Sequence, residues 1–434
     1  MHKAFFALSV LGASLVLAGQ KPMNPELSDE AVERRITQHR TAEVTLTVRG
    51  PDGRPLAGAP VVIRQTRHKF LFGCNAFRIN TADSSPAQQQ YQKRFAELLN
   101  YATLPFYWGS FERTEGKPET ERLKMMARWC ADNNIIVKGH PLCWHQVTPR
   151  WAREKTPEEI GPLQVARVTR DVTAFRGIVD IWDVVNEAVV MPKFNREPGP
   201  IPAWCAKVGP VEVIKQTFAA ARAANPSATL VLNDFDTSPR YEKLIEDCLK
   251  AGVSIDVIGI QSHMHGGYWG ADRAWDVCNR FARFGKPLHF TETTIISGDR
   301  KENMRWSGPP YDDWFSTPEG EKRQAEQVVE FYTVLFSHPA VQAITWWDFS
   351  DSGAWLGAPS GLVRKDMSPK PAYEELMKRI RGRWWTAEVK TTTDASGRAA
   401  FRGFLGDYSI QAGSAAGSFT IGAAGRCEAA VTVK

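Results

Sequence analysis

Eight short apolar runs alternate with longer amphipathic stretches between residues 71 and 383, and both chain ends read as short alternating strands. With a length of 434 residues, these observations predict an α/β protein. The expected architecture is a closed (β/α)8 TIM barrel with an additional small β-sandwich formed by the N- and C-terminal segments. Apolar strands between helices imply a parallel sheet covered on both faces. An open doubly wound sheet is the competing fold, but no G-x-G-x-x-G follows the first strand and the count of eight favours closure. The 43% hydrophobic and 24% charged content excludes a disordered chain. A net charge of +6, from 54 basic and 48 acidic residues with no basic block, does not suit a nucleic-acid partner.

Residues 1–18 read as a secretory signal peptide. Lys3 is the positive start, Ala4 to Leu17 the short apolar run, and Val16-Leu17-Ala18 a small-residue cleavage pattern. Gln20 stands where a lipoprotein would carry cysteine. No later segment is apolar for ~18 residues, so no membrane span is expected after cleavage; an uncleaved anchor is the alternative. The expected location is secreted, periplasmic or cell-envelope, and the chain is expected to act as a monomer. Export permits disulfides. The seven cysteines (74, 130, 143, 205, 248, 278 and 427) are scattered without a C-x-x-C pair, which predicts mostly buried thiols and no zinc site. Cys248 and Cys278 could pair, but spacing does not decide it.

Residues 19–41 read as a linker with a short helix, and 42–70 as the N-terminal half of the sandwich. There Val44–Val48 alternates, Pro51-Asp52-Gly53 turns, and Gly58–Gln65 returns. The barrel spans 71–383. Its strands are expected at Leu71–Phe77, Asn100–Phe106, Ile135–Leu142, Val179–Glu187, Thr229–Asp236, Val257–His263, Leu288–Thr294 and Ala343–Phe349. Helices are expected at Ala87–Leu99, Glu121–Asn133, Val211–Asn225, Arg240–Ala251, Glu319–Ser337 and Lys370–Arg381. Residues 384–434 form the C-terminal half, with Glu388–Thr393, the turn Asp394-Ala395-Ser396-Gly397, Ala399–Phe404 and Asp407–Gln411. A two- or three-stranded piece is marginal alone, so the two halves are expected to pair into one sandwich with the barrel inserted between them. Two separate hairpins are the alternative.

A barrel of this kind carries its chemistry at the C-terminal ends of its strands. Those ends hold His140 to His145, Asn186-Glu187, Asn233 to Asp236, Gln261 to His263, Glu292, and Trp346-Trp347-Asp348, with Trp355 beyond. Two carboxylates suit an acid and a nucleophile, amides and imidazoles suit hydroxyls, and indole faces suit sugar rings. Either glutamate alone could merely cap a helix; together on strands four and seven they point to catalysis. His263 and His265 lack a third ligand fixed by spacing, so no metal site is read. Thirteen of the fifteen tryptophans fall between Trp108 and Trp355. Trp182 and Trp346 read as packing residues, whereas Trp144, Trp347 and Trp355 lie on the rim.

The motifs "GHPLCWH", "WDVVNEA", "LNDFD", "GIQSH", "FTET" and "PKPAY", in this order, resemble glycoside hydrolase family 10, the endo-1,4-β-xylanases and their relatives. The flanks resemble the two halves of a transthyretin-like repeat. The family resemblance implies a retaining mechanism on a polysaccharide or oligosaccharide, without metal or organic cofactor. Glu187 would be the general acid/base and Glu292 the nucleophile. Asn186 would hold the sugar 2-hydroxyl and His263 would bond the nucleophile. His140, Trp144, Gln261, Trp347 and Trp355 would line the neighbouring subsites. Three features depart from the family. Strand two leads into Thr103-Leu104-Pro105-Phe106-Tyr107-Trp108, without the Asn and Lys that grip the non-reducing side of a xylan chain. Strand five ends in Phe235-Asp236 instead of an aromatic residue and Asn. The loop from Ser297 to Pro318 is long and carries Trp306, Tyr311 and Trp314. A related hydrolase for another β-glycoside, acting from a chain end, and a non-catalytic carbohydrate-binding barrel are the alternatives.

Overall fold

The computed structural model describes residues 24–194 and 199–434; the expected signal peptide, residues 1–18, lies outside them. Eight parallel strands close a barrel: β3 (Leu71–Asn75), β4 (Tyr101–Pro105), β5 (Ile136–His140), β6 (Ile181–Asn186), β7 (Thr229–Asp234), β8 (Val257–His263), β9 (Leu288–Thr294) and β10 (Val341–Trp346), with β10 pairing back onto β3. Closure follows from strands whose residues are buried on both faces, which leaves no edge free. Seven of the described α-helices open on proline, at positions 86, 157, 200, 210, 239, 318 and 371. Proline's fixed φ suits the first turn, where no amide donor is needed. Ser85, Thr156, Ser238 and Thr317 cap four of these helices by accepting from backbone N–H groups.

The expected strands and helices are present with shifted ends, and two helices absent from the expected set, Pro157–Ala174 and Ala271–Ala282, complete the alternation. Strand β6 stops at Asn186 because Glu187 turns to φ +59°. The final helix ends at Lys378 and continues as a π turn over Arg379–Arg383. Between the barrel and its helices, Trp182 packs against Phe175 and Trp346 against Tyr332, both fully buried. Gly139 is required beside Trp182: a Cβ at that position would lie 2.2 Å from the indole.

Two strands precede the barrel, β1 (Thr41–Arg49) and β2 (Pro60–His68). Five follow it: β11 (Val389–Thr392), β12 (Arg398–Phe404), β13 (Gly406–Ala412), β14 (Ala415–Ile421) and β15 (Gly425–Thr432). They form two sheets, ordered β12-β1-β15 and β11-β2-β13-β14. Each front strand sits between rear strands, so the flanks are one sandwich and not two hairpins. A shared core of Val44, Leu46, Ile63, Tyr408, Ile410 and Ile421 joins them.

The helix Asp29–Arg40 ties this sandwich to the barrel. Buried Arg40 donates to the carbonyls of Phe336 (2.7 Å), His338 (2.6 Å) and Val341 (2.8 Å). These lie at and just beyond the C-terminus of the helix Pro318–Ser337, where a cation also offsets the helix dipole. Arg40→Ala strands three carbonyls in a buried junction. It is expected to lower the unfolding free energy by about 2–4 kcal/mol, read from urea denaturation.

All seven cysteines are free and six are buried, so Cys248 and Cys278 do not pair. No helix among the described residues is long and apolar enough to cross a membrane.

Candidate active site

Backbone register brings the polar residues together. Asn186 on β6 is paired with Asn233 on β7, and Gln261 on β8 with Glu292 on β9. Their side chains form one network. Asn233 Nδ2 donates to Asn186 Oδ1 (2.8 Å) and to Glu292 Oε1 (3.0 Å), while its Oδ1 accepts from Thr291 (2.6 Å). Gln261 Nε2 donates to Asn186 Oδ1 (3.0 Å) and Glu187 Oε1 (3.1 Å), and Asn186 Nδ2 reaches Glu187 Oε1 (3.2 Å). Trp144 Nε1 donates to the other oxygen, Glu187 Oε2 (2.9 Å). The left-handed backbone at Glu187 costs on the order of 1–3 kcal/mol. It is held by the bond from Glu187 N–H to the Asn233 carbonyl (2.8 Å).

The two glutamates share a cavity but differ in proton affinity. Burial pushes the Glu187 pKa up to about 7, with the nearby Glu292 charge adding to it against the bonds from Trp144, Gln261 and Asn186. Burial also opposes ionisation of Glu292. There the imidazole of His140, the bond from His263 and the Lys138 ammonium outweigh it and hold the pKa below the ordinary 4.5. His263 Nε2 lies 3.0 Å from Glu292 Oε2, and its Nδ1 lies 3.0 Å from Thr294 Oγ1, which donates to the Trp347 carbonyl (2.7 Å). His140 Nε2 stands 3.8 Å from Glu292 Oε1. One carboxyl group is thus kept protonated near neutrality while its neighbour stays charged, the pairing that acid and nucleophile roles require.

Residues outside the expected catalytic and subsite set support this arrangement. Lys138 is fully buried and donates to Asp183 Oδ2 (2.6 Å), and the same oxygen lies 2.7 Å from His140 Nδ1. That pair fixes the imidazole facing Glu292. A lysine within an otherwise apolar strand was the available signal, since a buried ammonium needs a partner. Lys138→Met leaves the buried Asp183 carboxylate without its ammonium, held by the His140 imidazole alone. It is expected to cost about 3–5 kcal/mol in unfolding free energy, most of it recovered in Lys138→Met/Asp183→Leu. His145 lies 3.6 Å from Glu187 Oε2, with its pKa lowered by burial to about 3, so it is neutral. Asp348 accepts from Asn75 and from the Trp355 N–H (2.6 Å).

Aromatic rings wall the cavity in a continuous arc. Centroid separations are 5.5 Å for Trp144–Tyr107, 5.7 Å for Tyr107–Phe77, 5.1 Å for Phe77–Trp347, 6.1 Å for Trp347–His263 and 4.7 Å for His263–Trp355. The structure therefore brings Glu187, Glu292, His140, Trp144, Asn186, Gln261, His263, Trp347 and Trp355 around one space. Of the loop aromatics, Trp314 is buried in a satellite cluster with Ile296 and Leu356, while Trp306 stays exposed, 5.9 Å from Trp355. Asp236 does not face the cavity: it accepts from Ser238 N–H (2.8 Å) and pairs with Arg240 (2.6 Å). His265 packs among Trp306, Trp314 and Trp355. Among the described residues, no group of three or more His, Cys, Asp or Glu side chains is placed to hold a metal ion.

A closed barrel with two buried carboxyl groups of opposite proton affinity, ringed by aromatic faces, defines a glycoside hydrolase. The sequence pattern of glycosyl hydrolase family 10 matches residues 64–379. The chain belongs to that family, and its enzyme class is endo-1,4-β-xylanase-like. It is 30% identical to endo-1,4-beta-xylanase B of Thermotoga neapolitana over 67% of this chain and 83% of that protein. It is 26% identical to anti-sigma-I factor RsgI6 of Acetivibrio thermocellus over 88% of this chain, which spans 46% of that longer protein. Among solved structures, xylanase 10B from Thermotoga petrophila RKU-1 in complex with xylobiose superposes with a TM-score of 0.61. The identity is 27%, covering 73% of this chain and 95% of that one.

Proposed function

We propose that the protein is a secreted, retaining β-glycosidase that hydrolyses β-1,4-xylan or a related plant-type β-glycan. The observation that carries this reading is the opposed proton affinity of Glu187 and Glu292 within one hydrogen-bonded network. Glu292 attacks the anomeric carbon and forms a glycosyl ester. The bond to the leaving oxygen breaks as Glu187 gives that oxygen its proton. Glu187, now a carboxylate, then takes a proton from water as the water oxygen attacks the same carbon and releases Glu292. Asn186 holds the sugar 2-hydroxyl beside the reacting carbon, and His263 orients the nucleophile. His140, Gln261, Trp144, Trp347 and Trp355 line the sugar sites. The N-terminal pattern of Lys3, an apolar run and Ala18 supports export, and the xylobiose bound by the Thermotoga petrophila relative supports the sugar class.

The test is incubation with a panel of plant polysaccharides and aryl β-glycosides, with the first products followed by proton NMR. Xylan or β-xyloside cleavage releasing the β-anomer is expected. A first-formed α-anomer would exclude double displacement, and cleavage of another β-glycan alone would replace the substrate. That second reading, a hydrolase acting from a chain end on a different β-glycoside, is favoured by the apolar wall of Phe77 and Tyr107.

A further inference from the structure

Tyr107 occupies a position that neither the acid nor the nucleophile accounts for. Its ring is edge-on to His140 at 5.4 Å and tilted against Trp144 at 5.5 Å. His140 faces Glu292, and Trp144 is bonded to Glu187. Tyr107 therefore sits on the wall between the contacts of the two carboxyl groups. Attack by Glu292 on the anomeric carbon, while Glu187 protonates the leaving oxygen, places the glycone sugar over Glu292, on the side of this same wall. The Tyr107 hydroxyl has no hydrogen-bond partner among the described residues, and the ring packs against Phe77, His140 and Trp144. Burial and the surrounding Glu292, Asp348 and Glu187 carboxyl groups raise its pKa well above that of an ordinary tyrosine, so it remains a donor.

Beyond Tyr107 the wall continues through Phe77 to Trp347. Phe77, which follows β3, is half-buried and brings no hydrogen-bonding group, while Leu104 on β4 is fully buried. Asn75, the nearest amide on β3, already donates to Asp348. Between His140 and Phe77 the Tyr107 phenol is the hydrogen-bonding group this wall offers, and the next donor along it is the Trp347 indole N–H.

We propose that Tyr107 is a specificity-determining residue of the glycone side. Its O–H donates to a hydroxyl of the sugar held over Glu292, and its ring with Phe77 gives the next sugar apolar faces and no hydrogen bonds. The substrate class is then β-glycosides in which one glycone sugar supplies most of the recognition. This inference rests on the glycosidase reading above and adds to it which end of the substrate is recognised weakly.

The experiment measures kcat/KM for an aryl β-xyloside and the matching aryl β-xylobioside, in the wild type and in Tyr107→Phe. The variant keeps every ring contact, so a folding defect is not expected; circular dichroism checks this. The wild type is expected to favour the xylobioside by tenfold or less. Tyr107→Phe is expected to lose about tenfold on both substrates, with both limbs of the pH profile unmoved. A variant with wild-type kcat/KM, a displaced pH limb, or a wild-type preference above tenfold overturns the proposal. Failure of the glycosidase reading shows differently: the wild type itself then turns over neither substrate.

Discussion

Glu292→Ala is expected to lose on the order of 10⁴-fold or more in kcat on any substrate the wild type cleaves, because no glycosyl ester can form without that carboxylate. The loss is independent of the leaving group, since every substrate needs the same bond to the anomeric carbon. The fold remains intact in this account: Asn233 keeps its bond to Asn186, and His263 keeps Thr294. Steady-state kinetics on xylan and on an activated aryl β-xyloside check both statements. Retention of more than about one part in a hundred of the activity would remove Glu292 from the nucleophile role. The acid limb of the wild-type pH profile belongs to this group. Its pKa lies below 4.5, so it stays charged and active at lower pH than an ordinary glutamate.

Glu187→Ala is expected to act differently on different leaving groups. On xylan, whose sugar alkoxide must be protonated to depart, the loss is about 10²–10⁴-fold. On an aryl glycoside with an acidic phenol, formation of the ester needs little acid help, and its hydrolysis becomes limiting because no base activates water. Azide, a nucleophile that needs no base, then restores turnover and yields a β-glycosyl azide. The pH dependence carries the same signature. Glu187 must be protonated for the first step and its pKa is about 7, so wild-type kcat/KM on xylan falls as the pH rises past that value. In the alanine variant this basic limb is absent. A limb that survives the substitution would assign it to another group.

Much of the site was legible because a barrel gathers its strand ends, whatever their distance along the chain. Asn186-Glu187, Gln261, His263 and Glu292 could be collected from strand termini alone. What lay beyond reach was set by geometry across strands. The Lys138–Asp183–His140 chain depends on β5 and β6 pairing Lys138 with Ile181, and no local pattern states that register. The expected strand ran through Glu187, whose residue type does not announce a left-handed backbone. Tyr107 was visible as a departure from the family pattern. Its place between His140 and Trp144 follows from the register of β4 against β5, which sets Pro105 beside His140. The sandwich was inferable from two strand groups too small to stand alone, but the parallel pairing of β1 with β15 joins opposite ends of the chain.

The central claim is that Glu292 becomes covalently bonded to the sugar. The direct measurement uses an aryl 2-deoxy-2-fluoro-β-xyloside, whose fluorine slows release of the ester more than its formation while the activated phenol still departs. Intact-mass and peptide mass spectrometry then read the product. The account predicts one added fluoroxylosyl group per chain, on the peptide that carries Glu292, with matching loss of activity and no label in Glu292→Ala. A label on another carboxylate, or first-order inactivation without any added mass, would contradict it.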